Sequence, residues 1–316
     1  MTAKVFIDGA AGTTGLEIRE RLAGRRDISL VQLSDAVRKD AAARARALNE
    51  SDLVILCLPD DAAREAVSLI ENNSVRVIDA SSAHRVAPGW VYGFPEMEPD
   101  QRAKIASAAR VSNPGCYPTG FLALVRPLTR AGIIPFDFPL TVNAISGYSG
   151  GGKAMIAEFE NKSSPTYVET VARTYALGLS HKHVPEMQVH AKLAHAPVFA
   201  PSVGRFYRGM IVEVPLQLWA LPKKATQAQI HAVLAEAYES DVLVDVAGLE
   251  ESATLKTLDA ESLANTNRLK LYVFGNENAG QVRLTAVLDN LGKGAGGAAV
   301  QNLNIMLGLP ETEGLL

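Results

Sequence analysis

The chain has 316 residues, 47% hydrophobic and 21% charged, which is enough for about two globular domains. Its 31 basic and 34 acidic residues give a formal net charge of −3, which excludes the strongly basic surface of proteins that bind nucleic acid or anionic membranes. The two cysteines are too few for a disulfide framework, and no apolar run reaches the ~18 residues of a membrane span. We therefore expect a cytoplasmic protein.

A glycine-rich turn follows the first apolar segment, Val5–Ile7, and a helical pattern begins after it. Glycines at a strand-to-helix turn let the backbone approach a pyrophosphate, and the helix N-terminus supplies N–H groups. The spacing in GAAGTTG meets the GxGxxG pattern only in part, and a tight turn without a ligand is the alternative. The expected dinucleotide contacts here are Gly9, Gly12, Thr13, Thr14 and Gly15.

The end of the second apolar segment, Ile28–Leu33, bears on the choice between NAD and NADP. An NAD site usually places an acid after this strand, whereas the 2′-phosphate of NADP needs a cation or a hydroxyl. Ser34, Arg38 and Lys39 favour NADP, and Asp35 favours NAD. We predict a modest preference for NADP; the alternative role of the two cations is a solvated helix start.

Two further apolar segments, Leu53–Leu58 and Val75–Ile78, are typical of buried parallel strands. Each is followed by polar residues at the strand end, where open α/β sheets bind ligands. Pro59 follows the first segment and is a candidate cofactor contact. The stretch DASSAHR follows the second and supplies two candidate substrate contacts, Ser82 and Arg85, although a surface salt bridge is an equally ordinary role for one arginine.

The second cysteine lies in the segment VSNPGCYPTGFLALV, residues 111–125. The stretch that begins with Asn113 predicts a turn, and Pro118 is suited to the first position of a helix. Free N–H groups and the positive end of the helix dipole would stabilise a thiolate at Cys116. A buried structural thiol is the alternative, and it is the role we predict for Cys57 inside its apolar segment.

From about Thr141 the pattern changes to longer strands with long connections, which predicts a mixed sheet in an α+β domain. A helix is predicted around residues 227–238, and strands are predicted at 209–214, 269–274 and 281–288. The stretch SGYSGGGK, residues 146–153, could hold an anion through backbone N–H groups and Lys153, or could be a flexible loop.

The stretch HKHVPEM contains His181 and His183. Two histidines can bind a metal, but no carboxylate or cysteine at a suitable spacing completes a site, so we expect no metal. An acid/base role near the thiol is favoured, and an ordinary polar loop is the alternative. Surface or structural roles are predicted for the other histidines, which are His84, His190, His195 and His231.

Together these segments resemble the N-acetyl-γ-glutamyl-phosphate reductases of arginine biosynthesis, in their shorter form. The resemblance rests on GAAGTTG (9–15), DASSAHR (79–85), YGFPEM (92–97), SNPGCYPTG (112–120), HKHVPEM (181–187) and DNLGKGAGGAAVQNLN (289–304). It implies that Cys116 is the nucleophile and that His183, with His181 as substitute, is the acid/base. The longer form has an arginine at the position of Lys182 and DFR at residues 83–85, so the substrate contacts of that loop are less certain than the nucleophile.

The resemblance also implies an α/β fold, with a Rossmann-like doubly wound NADP-binding domain and a second α+β mixed-sheet domain for catalysis and oligomerisation. The first would comprise residues 1–115 and 292–316, and the second residues 116–291. The implied reaction is NADPH-dependent reduction of an acyl phosphate to an aldehyde through a cysteine thioester, in a homodimer or homotetramer. Further cofactor contacts are expected at Ser146, Gly147 and Asn290, and substrate contacts at Ser82, Arg85, Asn113 and Lys153.

Two alternatives remain open. An aspartate-β-semialdehyde dehydrogenase would have the same fold and chemistry on a shorter acyl phosphate, but HKHVPEM favours the glutamyl enzyme. An NADP-binding redox sensor would oxidise Cys116 without turnover. A sensor usually pairs its reactive thiol with a resolving cysteine, and Cys57 is predicted to be buried.

Overall fold

The computed structural model describes residues 2–34, 36–38 and 40–316, so Asp35 and Lys39 lie outside the described residues. The strands are β1 (Ala3–Asp8), β2 (Ile28–Val31), β3 (Leu53–Leu56), β4 (Arg76–Asp79), β5 (Val91–Tyr92), β6 (Arg110–Ser112), β7 (Thr141–Gly147), β8 (Ala172–Thr174), β9 (Val198–Gly204), β10 (Met210–Gln217), β11 (Val244–Val246), β12 (Leu269–Asn276) and β13 (Gln281–Leu288). The α-helices are α1 (Thr13–Leu22), α2 (Ala41–Asn49), α3 (Asp60–Ser68), α4 (Gln101–Ser107), α5 (Cys116–Arg130), α6 (Gly152–Glu160), α7 (Val184–His190), α8 (Gln227–Tyr238), α9 (Leu249–Thr254) and α10 (Gly297–Leu307). Short 3₁₀ turns at Tyr148–Gly151 and Leu218–Ala220 and a π-helical turn at Gly292–Gly296 are also present.

The chain divides into two compact units, Met1–Gly115 with Ala295–Leu316, and Cys116–Gly294. Within the described residues of the first unit, six strands form a parallel sheet in the order β2-β1-β3-β4-β6-β5. The strand order reverses between β1 and β3, and the glycine-rich turn follows β1 at this switch point, where doubly wound sheets bind ligands. The predicted doubly wound fold is confirmed.

Two strands of the first unit end before their predicted apolar segments, whereas β1 extends beyond its segment at both ends. The second ends at Val31 rather than Leu33, and the third ends at Leu56 rather than Leu58. Leu33 and Leu58 still pack against the apolar core after the ladder ends, which is why the apolar segments outlast the strands. Strands β5 and β6 were not predicted, because two or three residues are too few to show a period.

Helix α10 brings the end of the chain back into the first unit. Arg25 donates from Nη1 to Oδ1 of Asn304 at 2.7 Å, and Arg76 donates from Nη1 to the carbonyl of Met306. These bonds fix α10 beside residues from the opposite end of the sequence.

In the second unit, the described residues form a seven-stranded mixed sheet in the order β11-β12-β13-β10-β7-β9-β8. Strand β7 is parallel to β9, and β11 is parallel to β12, whereas the other neighbours are antiparallel. The mixed sheet predicted for this part of the chain is confirmed, and so is the helix at Gln227–Tyr238. Thr226 and Gln229 cap that helix reciprocally through a capping box.

Helix α5 packs closely on the sheet of the second unit. A Cβ at Gly120 would lie 2.9 Å from Cγ2 of Val212, so only glycine permits this approach. Most of the helix from Tyr117 to Leu128 is buried. The burial fixes the start of the helix, where Cys116 lies.

The glycine-rich stretch at 146–153 is not a flexible loop. Strand β7 continues to Gly147, a 3₁₀ turn follows, and α6 begins at Gly152. The backbone N–H groups of Tyr148 and Ser149 donate to the carbonyls of Phe206 and Tyr207 at 3.0 and 3.1 Å. These bonds to residues distant in the sequence give the stretch an ordered structure despite its glycine-rich composition.

Candidate active site

Cys116 is the first residue of α5, and residues 113–115, which connect it to β6, are irregular backbone rather than the predicted turn. Pro118 is therefore the third helical residue rather than the first; it is tolerated because N–H groups of the first turn have no intrahelical acceptor. A Cβ on Gly294 would lie 2.8 Å from the Cβ of Cys116, so the thiol-bearing carbon packs directly against a glycine backbone. The half-buried thiol thus has a fixed position at the positive end of a helix.

Both histidines of HKHVPEM pack near the residue that follows Cys116. The ring of Tyr117 lies 5.7 Å from that of His183 and 6.1 Å from that of His181, between centroids. The two imidazoles are 4.7 Å apart, and Phe199 packs on His181 at 5.2 Å. The structure therefore places both predicted acid/base candidates near Tyr117, the residue next to the predicted nucleophile.

The two histidines differ in their hydrogen bonding. The backbone N–H of His183 donates to Nδ1 of His181 at 3.1 Å. Because Nδ1 accepts this bond, the geometry assigns the proton of His181 to Nε2 and makes its imidazole neutral. His183, at the residue before α7, is only 6% exposed.

Two tyrosines form a hydrogen-bonded pair beside the thiol. The hydroxyl of Tyr175 donates to that of Tyr117 at 2.8 Å. Burial, with contributions from Tyr175 and the charge of Cys116, raises the pKa of Tyr117 well above its ordinary value. Burial chiefly raises the pKa of Tyr175 to about 12, and the charge of Cys116 adds to the rise. Both phenols are therefore neutral hydrogen-bond donors at physiological pH.

Three of the predicted cofactor residues come together at the end of β7. Asn290 donates from Nδ2 to Oγ of Ser149 at 2.9 Å and accepts the N–H of Gly209 at 2.8 Å. A Cβ on Gly150 would lie 3.4 Å from Nδ2 of Asn290 and 3.5 Å from Oγ of Ser146. Ser146, Gly147 and Asn290 are all buried, whereas Lys153 is exposed as the second residue of α6.

The predicted substrate residues of the first unit make hydrogen bonds inside that unit. The N–H and hydroxyl of Ser82 both donate to the carboxylate of Asp60 at 2.8–3.0 Å. Arg85 donates from Nε to the carbonyl of Asn113 at 3.0 Å and from Nη2 to the carbonyl of Ala80 at 3.2 Å. Asn113 in turn donates from Nδ2 to the carbonyl of Ala295 at 3.0 Å. These bonds fix the irregular segment that leads the chain to its second cysteine.

His84, for which only a surface or structural role was predicted, belongs to a buried network. Its Nδ1–H donates to Oδ2 of Asp79 at 2.6 Å, and its ring stacks on Trp90 with centroids 4.1 Å apart. The hydroxyl of Ser81 donates to the same carboxylate oxygen at 2.7 Å. The network stabilises the DASSAHR loop at the end of β4.

The glycines of the first unit form a cradle for phosphate groups. Gly9 has a φ of +88°, and a Cβ there would collide with the carbonyl of Cys57. A Cβ on Gly15 would lie 2.5 Å from the carbonyl of Gly9, so glycine lets α1 pack against the turn. Gly12 precedes α1 without a side-chain cap, which leaves N–H groups at the start of the helix. These features fit a dinucleotide pyrophosphate.

A cavity of about 360 Å³ adjoins this turn. Asp8, Arg38 and Arg44 contribute polar groups to its lining. Thr13 and Thr14 are the first residues of α1, Pro59 precedes α3, and exposed Ser34 follows β2. Of the two predicted cations, Arg38 lies in the lining, and Lys39 lies outside the described residues.

Cys57 follows β3 rather than lying within it, because that strand ends at Leu56. Burial, assisted by the charges of Asp79 and Asp8, raises the pKa of the Cys57 thiol to about 12. Its thiol is therefore protonated at physiological pH and is a poor nucleophile.

Two family models match the chain. Residues 4–105 match the semialdehyde dehydrogenase NAD binding domain, and residues 116–290 match the semialdehyde dehydrogenase dimerisation domain. N-acetyl-γ-glutamyl-phosphate reductases from Brucella suis and Brucella ovis are each 56% identical over 309 residues, which cover 98% of this chain and all of theirs. The chain belongs to this reductase family. The resemblance noted in its motifs is confirmed, and the chain is an oxidoreductase with a nicotinamide-nucleotide-binding domain.

Solved structures share the fold at low sequence identity. Aspartate semialdehyde dehydrogenase II of Vibrio cholerae, complexed with ASA, is 15% identical with a TM-score of 0.73, over 97% of this chain and 98% of that one. The Candida albicans aspartate semialdehyde dehydrogenase with NADP is 14% identical with a TM-score of 0.69, over 97% and 99%. These similarities show that the chain has the same fold. Among its described residues, no helix is long and apolar enough to cross a membrane.

Sequence reasoning missed several residues of the site. Tyr117 follows Cys116 directly and could have been singled out by that position, but nothing around Tyr175 marks it. The bond from His183 to His181 has no sequence signature beyond the i, i+2 spacing. Arg44 lies five residues beyond Lys39, where the predicted nucleotide segment ends, and meets Asp8 only in the fold.

Proposed function

We propose that the chain reduces N-acetyl-γ-glutamyl phosphate with NADPH to N-acetylglutamate semialdehyde and phosphate, in arginine biosynthesis. The observation that carries the proposal is the position of Cys116 at the first residue of α5, next to a tyrosine whose ring packs near His181 and His183. The relatives at 56% identity are named for this reaction. The aspartate semialdehyde dehydrogenases are at most 16% identical among the neighbours compared, so they support the fold alone.

The first step is acyl transfer to the thiol. The thiolate of Cys116 attacks the acyl carbon; a carbon–sulfur bond forms as the carbon–oxygen bond to phosphate breaks, and phosphate leaves with the electron pair. The N–H groups at the start of α5 stabilise the oxyanion, because this helix end carries partial positive charge. One such donor is worth about 2.7–4 kcal/mol of transition-state stabilisation in an oxyanion hole.

The second step converts the thioester on Cys116 into the aldehyde. NADPH, when bound, supplies the hydride that the acyl carbon requires. His183 protonates the developing oxygen anion and recovers the proton as the aldehyde forms and the Cys116 thiolate is released. His181 is unsuited to this transfer because its Nδ1 accepts the backbone N–H of His183, and we assign it a positioning role.

The substrate contacts are part of the proposal. Lys153 has an exposed ammonium group and is the first candidate for holding the leaving phosphate. Ser82 donates both its N–H and its hydroxyl to Asp60, and Arg85 already donates to two backbone carbonyls. The hydrogen bonds of Ser82, Arg85 and Asn113 support a role for these residues in shaping the substrate loop more strongly than a role in binding the substrate directly.

The cofactor contacts are proposed in both units. Those in the first unit are Gly9, Gly12, Thr13, Thr14, Gly15, Ser34, Arg38, Lys39 and Pro59, and those in the second are Ser146, Gly147 and Asn290. The glycine cradle and the cation in the adjoining cavity support the first set. Asn290 has one amide hydrogen beyond its bond to Ser149, which supports a contact with a carbonyl of the ligand.

We further propose a cytoplasmic homodimer or homotetramer assembled through the second unit. The match of residues 116–290 to a dimerisation domain supports assembly through this unit. Both cysteines are free thiols, as a reducing compartment requires.

The reverse reaction tests the proposal. Purified protein is mixed with N-acetylglutamate semialdehyde, NADP and phosphate, and the appearance of reduced nicotinamide is followed by its absorbance. We expect a phosphate-dependent signal that Cys116→Ala abolishes and that Cys57→Ala, the matched thiol control, retains. Full activity of Cys116→Ala would contradict the mechanism.

The same assay separates the alternatives. Activity with aspartate semialdehyde but not with the longer acetylated substrate would identify an aspartate-β-semialdehyde dehydrogenase. Tight NADP binding with reversible oxidation of Cys116 and no turnover of either substrate would identify a redox sensor.

A further inference from the structure

The cavity beside the glycine-rich turn contains two arginines, Arg19 and Arg44, that the sequence did not single out. Its lining combines apolar side chains, among them Leu33 and Leu58, with these two arginines and Arg38. Apolar side chains can pack against a flat ring, and arginines can bind an anion.

The acid in the cavity wall is neutralised by one of these arginines. Arg44 donates from Nε and Nη2 to Oδ2 of Asp8 at 3.1 and 2.9 Å. The side chains are 12% and 7% exposed, so water screens the pair little. Glu65 is farther from Arg44, at 3.5 Å, and more than half exposed. Arg44 therefore cancels the charge of Asp8, and Arg19 and Arg38 are the other two cations of the lining.

Arg19 differs from the other arginine on the same helix. Arg21 is paired with Glu17 at 2.6 Å and does not line the cavity. Arg19 lines the cavity, is exposed, and makes no ion pair among the described residues. Guanidinium groups bind phosphate well because their planar N–H donors engage two oxygens at once.

We propose that Arg19 binds the 2′-phosphate of NADP(H) together with Arg38, and that it is a determinant of the preference for NADP over NAD. The apolar side chains of the lining receive the adenine ring. This inference rests on the proposed function, because it assumes that a nicotinamide dinucleotide occupies the glycine cradle. The sequence placed the residues that favour NADP only in the segment after β2, and this inference adds a residue from α1 to them.

Binding of adenosine 2′,5′-bisphosphate and of 5′-AMP, measured by calorimetry, tests the inference without turnover. The two probes differ only in the 2′-phosphate. Arg19→Gln removes the charge, Arg19→Lys keeps it without the paired donors, and Arg21→Gln is the matched control on the same helix. Kd values for NADPH and NADH are measured on the same variants.

We expect the wild type to prefer the bisphosphate, and Arg19→Gln to weaken bisphosphate and NADPH binding by about tenfold or more, as a lost hydrogen bond to a charged group does. Binding of 5′-AMP and NADH should stay within about twofold, and Arg19→Lys should be intermediate. Equal weakening of both probes by Arg19→Gln, or no more weakening than Arg21→Gln causes, would overturn the inference. Failure of the wild type to bind either probe or either dinucleotide would instead contradict the proposed function.

Discussion

Replacing Gly294 by alanine should displace the Cys116 thiol without removing any functional group. The added Cβ would lie 2.8 Å from Cβ and 3.3 Å from Cα of Cys116, and 3.0 Å from the carbonyl oxygen of Asp289. Carbon atoms in contact prefer about 3.5 Å or more, so the two Cβ atoms must separate by about 0.7 Å. Because the carbonyl oxygen of Asp289 is also close to the added Cβ, it restricts the movement of residue 294, and we expect part of the movement to fall on Cys116.

A displacement of about 1 Å at a reacting group can lower the rate about 100-fold. We therefore expect kcat of the Gly294→Ala variant in the reverse assay to fall between about tenfold and 100-fold. Gly248→Ala is the matched control, because a Cβ there meets nothing within 4 Å. Circular dichroism and thermal unfolding verify that both variants fold, and the rate of thiol alkylation reports the environment of Cys116. A folded Gly294→Ala variant with kcat within about twofold of wild type would refute the argument that this packing positions the thiol.

Three further predictions follow from the same geometry. His183→Gln should lower kcat by about 10²–10⁴-fold. His181→Asn keeps an acceptor for the N–H of His183 and should lower kcat less than tenfold. The reverse ranking of the two variants in steady-state kinetics would exchange the two roles. Arg44→Met should destabilise the fold by about 3 kcal/mol because it leaves the Asp8 carboxylate buried and unpaired. Urea unfolding of the double variant Arg44→Met/Asp8→Asn should show that part of this free energy of unfolding is recovered. Additive losses of stability in the double variant would exclude coupling between the two side chains. The Cys57 thiol ionises at about 12 in the folded chain against an ordinary value of 9.0. Because the unfolded chain then loses this proton first, the free energy of unfolding should fall as the pH rises from 9 toward 12, and less in Cys57→Ala; identical pH profiles would contradict the assigned pKa.

The candidate site residues could be singled out from short segments because each segment has a local physical cause. The glycine turn needs Gly9 for a left-handed φ, and Cys116 opens a helix. Apolar segments predicted the parallel sheet because strands buried on both faces have continuous apolar sequence. The lengths of β2 and β3 were overestimated, since Leu33 and Leu58 pack on the core beyond the ladder.

Other features were decided only by the tertiary structure, because they join residues far apart in the sequence. Tyr175 reaches Tyr117 across 58 residues, Arg44 reaches Asp8 across 36, and Gly294 packs on Cys116 after the chain has crossed the whole second unit. The spatial distance between such residues cannot be derived from a single sequence, because their contact depends on how the strands and helices pack. The sequence by itself determined which residues are the candidates for the nucleophile, the acid/base and the phosphate cradle, whereas packing decided how each is oriented, neutralised and held.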